Sequence, residues 1–231
     1  MKLSCLHLWF VPLLSLVASA SAQTTLDVTV HDLTPDGKLP FDAAYCVPPS
    51  KEEAPHDISP AVSWSQGPAG TKSYVLIMTD LDVPNDLSLI NKAGVTLTPS
   101  TPRVPFIHWV LIDIPPGIAH LDKGVEGSEF IAKGKAFGDT DHGIRGLNVF
   151  SHFYPEGSPF AGPHAGYDGP CPPLNDTVTH RYVTDIYALD VASLGLSGQF
   201  YGEAALEKMK GHLLASGRAN AGYGGAPLQT K

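Results

Sequence analysis

The chain has 231 residues, with 15 Lys and Arg against 23 Asp and Glu, a formal net charge of −8 at pH 7 and no basic run. That balance argues against nucleic acid or an anionic membrane surface as a partner. The length suits one domain with a sizeable core, and self-similarity at a fixed period is absent.

Lys2, the apolar stretch from Leu3 to Val17 and the small residues Ala18 to Ala22 have the order of a secretory signal peptide, with cleavage expected after Ala22. The apolar run is shorter than the ~20 residues of a membrane span, and Pro12 interrupts it. The expectation is an exported chain without a membrane span, folded as one domain over residues 23–231. Removal of the signal takes Cys5 with it and leaves Cys46 and Cys171 in an oxidising compartment. A Cys46–Cys171 bridge is expected there, with two buried thiols as the alternative. In an exported chain, Asn175-Asp176-Thr177 reads as a glycosylation sequon on a solvent-facing loop.

Residues 24–30 alternate loosely, as an opening strand with one wet face does, and Ala61 to Trp64 form a short strand ended by Gly67-Pro68-Ala69-Gly70. Ser73 to Thr79 (SYVLIMT) lacks polar alternation, which predicts a central strand covered on both faces. Residues 85–104 read as a loop. A second apolar strand runs from Phe106 to Ile114 and carries His108 and Asp113 as polar interruptions. A lone His in such a strand is most often a hydrogen-bonded core residue.

Glu129 to Lys135 reads as a further strand. Residues 137–165 are Gly-rich and without periodicity, which predicts a lid, a binding loop or a flexible insertion. In the next stretch Pro170, Pro172 and Pro173 enforce a stiff loop, which hands His180 to a β-branched and aromatic strand ending at Leu189. A long helix is predicted from Phe200 to Ala215 with Leu206, Met209, Leu213 and Leu214 as its apolar stripe, capped by Gly217 and followed by a mobile tail over 218–231.

Two buried strands thus carry Asp80, Asp82 and His108, and a third begins at His180. If they neighbour one another, a carboxylate and two imidazoles converge; the plainer reading of Asp80 and Asp82 is a turn before Pro84. No H-E-x-x-H, H-x-H or paired-Cys spacing supports a metal site, no G-x-S-x-G supports a serine hydrolase, and no cofactor fingerprint is present.

The segments DISPAVSW from Asp57, TDLDVP from Thr79, HWVLIDIP from His108, GYDGPCPP from Gly166, HRYVTDIYALD from His180 and GHLLASG from Gly211 together resemble the phosphatidylethanolamine-binding protein family, most closely its bacterial and fungal branch. The resemblance implies a mainly β fold, with a large central sheet, a smaller second sheet and a C-terminal helix around a small anion pocket. It implies that Asp80, His108 and His180 line that pocket, with Asp82 beside them and backbone around Gly169 and Pro170 as one wall. Both imidazoles are expected to donate to a bound carboxylate or phosphate. Leu81 stands where the family's D-P-D-x-P motif has its proline, and 137–165 is longer than the usual connection.

Two classes of function follow from the resemblance. One is an accessory protein or enzyme of fungal maleidride biosynthesis, a secondary-metabolite route, acting with a ketosteroid-isomerase-like partner on maleic-anhydride monomers. The other is a non-enzymatic protease inhibitor or phospholipid-head-group binder. The sequence leaves catalytic turnover open.

Overall fold

The computed structural model describes residues 24–46 and 55–225. The expected signal segment and the last residues of the expected tail lie outside the described residues. Ten strands are described: β1 (Thr24–Thr25), β2 (Val28–Val30), β3 (Val62–Trp64), β4 (Ser73–Pro84), β5 (Arg103–Ile114), β6 (His120–Leu121), β7 (Gly138–Thr140), β8 (Gly143–Arg145), β9 (Thr179–Leu189) and β10 (Leu213–Gly224). They form a seven-stranded sheet in the order β1-β10-β9-β4-β5-β8-β7 and a three-stranded sheet in the order β2-β3-β6. Two short helices accompany them, α1 (Phe150–Phe153) and α2 (Gly202–Lys208). The fold is therefore mainly β, with one large and one small sheet.

The apolar run of β4 is explained by cover on both faces. Tyr74, Leu76 and Met78 pack with Trp64, Trp109 and Tyr167 in the layer toward the small sheet, while Val75 and Ile77 join Val110, Ile112, Ala205 and Met209 beneath α2. Full burial of each large apolar side chain contributes about 1.5–3 kcal/mol, so the two layers together hold the central strands in register.

The opening segment differs from the single strand expected. β1 pairs with β10 in the large sheet, while β2 pairs with β3 in the small one, so the chain changes sheets at Leu26 and Asp27. Glu129 to Lys135 forms turns instead of a strand.

The C-terminal region needs the largest correction. The helix spans only Gly202–Lys208, Gly211 adopts φ +85° and ends the turn that follows, and Leu213–Gly224 is a full strand of the large sheet. Residues 218–224 are thus part of the core sheet and not a mobile tail. Leu206 and Leu213 are exposed, whereas Ala205 and Met209 are buried. The small residues of β10 mislead because they are a packing requirement: a Cβ on Gly217 would lie 2.1 Å from the Leu26 carbonyl oxygen, where the chain crosses between sheets.

The 137–165 segment is also more structured than expected. It makes the β7–β8 hairpin at the sheet edge and then folds α1 inward, where Phe150 stacks on Tyr45 at a ring separation of 4.3 Å.

Candidate functional site

The strand register brings Asp80, His108 and His180 to one cavity. On β9, His180 and Tyr182 share a face with Ile186 and Ala188, and Asp80 on β4 pairs with Tyr182. His108 reaches the same face through an irregularity in β5: Met78 pairs with Trp109 and Thr79 with Ile107, so His108 is passed over in the register. Ile107 and Val110 pack beneath α2, while the His108 ring stands edge-on to Phe150 and Tyr182, each at 5.4 Å. Such an irregularity re-aims a side chain that strict alternation would send to the other face.

His180 differs from expectation in its bonding. Its Nδ1–H donates to Asp80 Oδ2 at 2.7 Å and its Nε2–H to Asp176 Oδ2 at 3.1 Å, within a fully buried site. Burial pulls the ring toward the neutral form, but hydrogen bonds and charges from Asp80 and Asp176 outweigh it and raise the His180 pKa above the ordinary imidazole value. Both ring donors are spent on carboxylates, so His180 has none left for a ligand. This corrects the expected role of donor.

Asp80 is held on both oxygens, since its Oδ1 also accepts the Asp82 N–H at 2.8 Å. Arg103 completes the cluster. Its five N–H donors go to Thr101 O, Asp82 O, Thr98 O and both oxygens of Asp176, which exhausts the guanidinium. Burial acts to raise the Asp176 pKa, but Arg103, the Val178 N–H and His180 hold it below the usual carboxylate range. Asp80 and Asp176 therefore face the two cations His180 and Arg103 in a closed, neutral group.

His108 is arranged differently. Nδ1 lies 2.9 Å from the Asp168 carbonyl oxygen, and because a carbonyl only accepts, Nδ1 carries the hydrogen. Burial, opposed mainly by the Asp80 charge, holds its pKa below the ordinary imidazole value. The ring is thus neutral near pH 7, and Nε2 presents a lone pair to whatever occupies the cavity.

The cavity has a volume of about 310 Å³, within the lower range for small-molecule sites. Its walls are mainly apolar, with Val83, Ile90, Phe106, Phe150, Phe153 and the run Pro172-Pro173-Leu174, while Cys46, Cys171 and the polar groups of Asn91 and Tyr154 also line it. The two cysteines are bridged, at a Cα separation of 4.7 Å. Gly169 and Pro170 do not form the wall. The Gly169 N–H donates to Asp57 Oδ1 and the Pro170 carbonyl accepts from the Tyr45 and Cys46 N–H groups, so the following four residues take that place.

Asp82 also lies away from the cavity, its carboxylate held by the Arg181 guanidinium at 2.8 Å on each oxygen. Asn175 is buried instead of solvent-facing. Its side chain donates to the Leu89 and Val95 carbonyls and accepts the Asn91 N–H, which latches the 85–102 loop and leaves no free amide for a glycan. Sequence reasoning did not find Arg103, Asp176, Lys135 or Asp168; for Asp176 the signal was its i,i+4 spacing from His180.

Among the described residues no cluster of three or more His, Cys, Asp or Glu could hold a metal ion, and no helix is long and apolar enough to cross a membrane.

The sequence profile of the phosphatidylethanolamine-binding proteins matches residues 29–224. The chain is 32% identical over 160 residues to a UPF0098 protein of Aquifex aeolicus, covering 69% of this chain and 70% of that relative. It is 30% identical over 162 residues to a UPF0098 protein of Methanothermobacter thermautotrophicus, covering 70% and 80%. Among solved structures, one from Chlamydia trachomatis described as a homologue of the same family superposes with a TM-score of 0.58 at 25% identity, over 87% of this chain and 97% of that one. Escherichia coli YbcL, at 19% identity, shares the fold with a TM-score of 0.58 over 87% and 98%. With a mainly β fold of two sheets and a match over most of its length, the chain belongs to the phosphatidylethanolamine-binding protein family.

Proposed function

We propose that the cavity binds a small amphiphilic acid, with its carboxyl head at Nε2 of His108 and its apolar body among Phe106, Phe150, Phe153 and Leu174. The observation that carries this reading is the contrast inside the cavity: both ring nitrogens of His180 are spent on internal carboxylates, while His108 presents one neutral imidazole among walls that are mainly apolar. A carboxylic acid entering this space transfers its proton to Nε2, and the resulting imidazolium and carboxylate are buried as a pair.

An alkyl-substituted maleic acid, or the anhydride from which it derives, has this combination of head and tail. That chemistry supports an accessory role in a maleidride-type secondary-metabolite route, with a ketosteroid-isomerase-like partner. The N-terminal segment and the Cys46–Cys171 bridge support a secreted member of the bacterial and fungal branch acting in an oxidising compartment. A phospholipid head group has less support, because its phosphodiester lies between two further polar ends while this cavity is walled mainly by apolar side chains. A protease inhibitor has less support as well, since Phe150 of the 137–165 segment packs inward on Tyr45.

Calorimetric titration of maleate, an alkylmaleate and inorganic phosphate from about pH 5 to about pH 8 tests the reading. Anion binding takes up a proton at His108, so affinity is expected to rise as pH falls and to level off below the depressed pKa of the free ring. The alkylmaleate is expected to bind tightest. Replacing His108 with Ala is expected to cost it roughly tenfold to a hundredfold, the equivalent of about 1.5–3 kcal/mol for a charge-assisted bond. Phosphate binding as tight as the alkylmaleate, or affinity indifferent to pH and to His108→Ala, overturns it.

A further inference from the structure

A second buried charge group contacts the same loop that holds His108. Lys135 Nζ lies 2.6 Å from Asp57 Oδ2 and 2.5 Å from Asp168 Oδ1, and all three side chains are nearly free of solvent. The other oxygen of each carboxylate is committed nearby. Asp57 Oδ1 accepts the Gly169 N–H at 2.7 Å, and Asp168 Oδ2 accepts Asn148 Nδ2–H at 2.7 Å and faces His164 Nδ1 at 3.1 Å.

The backbone of Asp168 in turn brackets His108. Its N–H donates to the His108 carbonyl at 3.0 Å, and its own carbonyl accepts the His108 Nδ1–H at 2.9 Å. The opposite tautomer would set the Nδ1 lone pair against the carbonyl lone pairs. Fixing Asp168 therefore fixes which nitrogen of His108 presents a lone pair.

We infer that Lys135, clamped between Asp57 and Asp168, is a positioning residue that sets the tautomer of His108 and so the nitrogen offered to the cavity; this rests on the reading of His108 as the ligand contact. Without the ammonium, two buried carboxylates face each other with no shared cation. One must take up a proton or move, and either outcome loosens the residue whose carbonyl holds the ring. Burial and the neighbouring Asp168 charge push the Asp57 pKa up, and the Lys135 ammonium opposes both.

The test is nitrogen NMR of protein carrying ¹⁵N-labelled histidine, ligand-free, on the parent, Lys135→Met and the double variant Asp57→Asn/Lys135→Met. The parent is expected to show His108 as the Nδ1–H tautomer. Lys135→Met is expected to add an Nε2–H population, to flatten the pH profile of alkylmaleate affinity and to lower that affinity roughly tenfold, as loss of an outer partner does elsewhere. A folded Lys135→Met that keeps a pure Nδ1–H ring and the parental pH profile overturns the inference. If Lys135→Met does not fold, the double variant Asp57→Asn/Lys135→Met carries the same readout, since it removes the ammonium together with one of the two charges it separates, and an unchanged tautomer there overturns it. Because the spectra need no ligand, their failure leaves the binding reading standing, whereas a parent that binds no alkylmaleate sinks that reading with the tautomer result intact.

Discussion

Beside the cavity, Asp80, Asp176, His180 and Arg103 set two carboxylates against two cations; in the loop behind it, Asp57 and Asp168 share the single cation of Lys135. The first cluster has spent every donor it owns, so it shapes the cavity without offering a donor to a ligand. The second is short of positive charge, and the strain falls on Asp57, whose pKa is pushed up to about 8 by burial and by Asp168. His108 belongs to neither cluster but depends on the second for its ring orientation. Buried charge in this protein thus serves mainly to hold backbone, and the residue left free for chemistry is the uncharged one.

The strongest way to break that comparison is to remove the cation that two carboxylates share. His180→Ala leaves Asp80 and Asp176 buried and facing each other, with Arg103 bonded to only one of them. It is expected to cost about 3–5 kcal/mol of unfolding free energy, the usual range for stripping one partner from a buried ion pair. Urea unfolding at neutral pH measures it. A loss under about 1 kcal/mol would mean that the cluster is solvated and that His180 is available to a ligand after all.

Asp80, His108 and His180 were legible in the sequence because each stands at the edge of an apolar strand within a motif. Their bonding was not. The second carboxylate on His180 is Asp176, which sat inside a glycosylation sequon and was read for its neighbour Asn175. Arg103 lies between prolines with no pattern around it, and Lys135 arrives from a turn region that resembled a strand. Long-range ion pairs leave no periodicity in a chain, so their members surface only when the fold brings them together. The misread tail has a different cause: glycine and alanine mark loops by composition, yet in β10 they are what a close crossing of backbone demands.

A smaller effect separates the clusters by pH. His180 has a raised folded pKa, so its contribution to stability is fully present below the unfolded value near ~6.5 and is lost as pH rises through the folded value. Asp57 is also raised, so its contribution is present below about 4 and is lost as pH rises through about 8. Asp168 and Asp176 are lowered and act at the other end, losing their contribution as pH falls below about 4. Thermal melting from about pH 5 to about pH 9 should therefore show falling stability in the parent. His180→Ala should retain only the Asp57 share of that slope, and Asp57→Asn only the His180 share. A slope that neither substitution changes would place the titrating group elsewhere.

The smallest effect sharpens the boundary of the cavity-side cluster. Asp82 belongs to the same motif as Asp80, but its carboxylate turns outward to Arg181, whose side chain is 67% exposed. The Arg181 guanidinium is the main cause holding the Asp82 pKa below the usual range, opposed by partial burial, yet the Arg181 backbone N–H also donates to Asp82 Oδ2 at 2.8 Å. Arg181→Ala removes the screened half of this pair and keeps the backbone half. The pair is open to solvent on its Arg181 side while the Asp82 side chain is 8% exposed, and the backbone bond keeps a partner on the carboxylate, so the substitution should cost about 1 kcal/mol, less at high salt, and move the urea midpoint only slightly. Ligand affinity should not change, because neither residue lines the cavity. An affinity loss beyond about fivefold, the equivalent of roughly 1 kcal/mol, would mean that the Asp82 carboxylate and the cavity are coupled through the Asp80–Asp82 backbone bond, and the two halves of the motif would then have to be treated as one site.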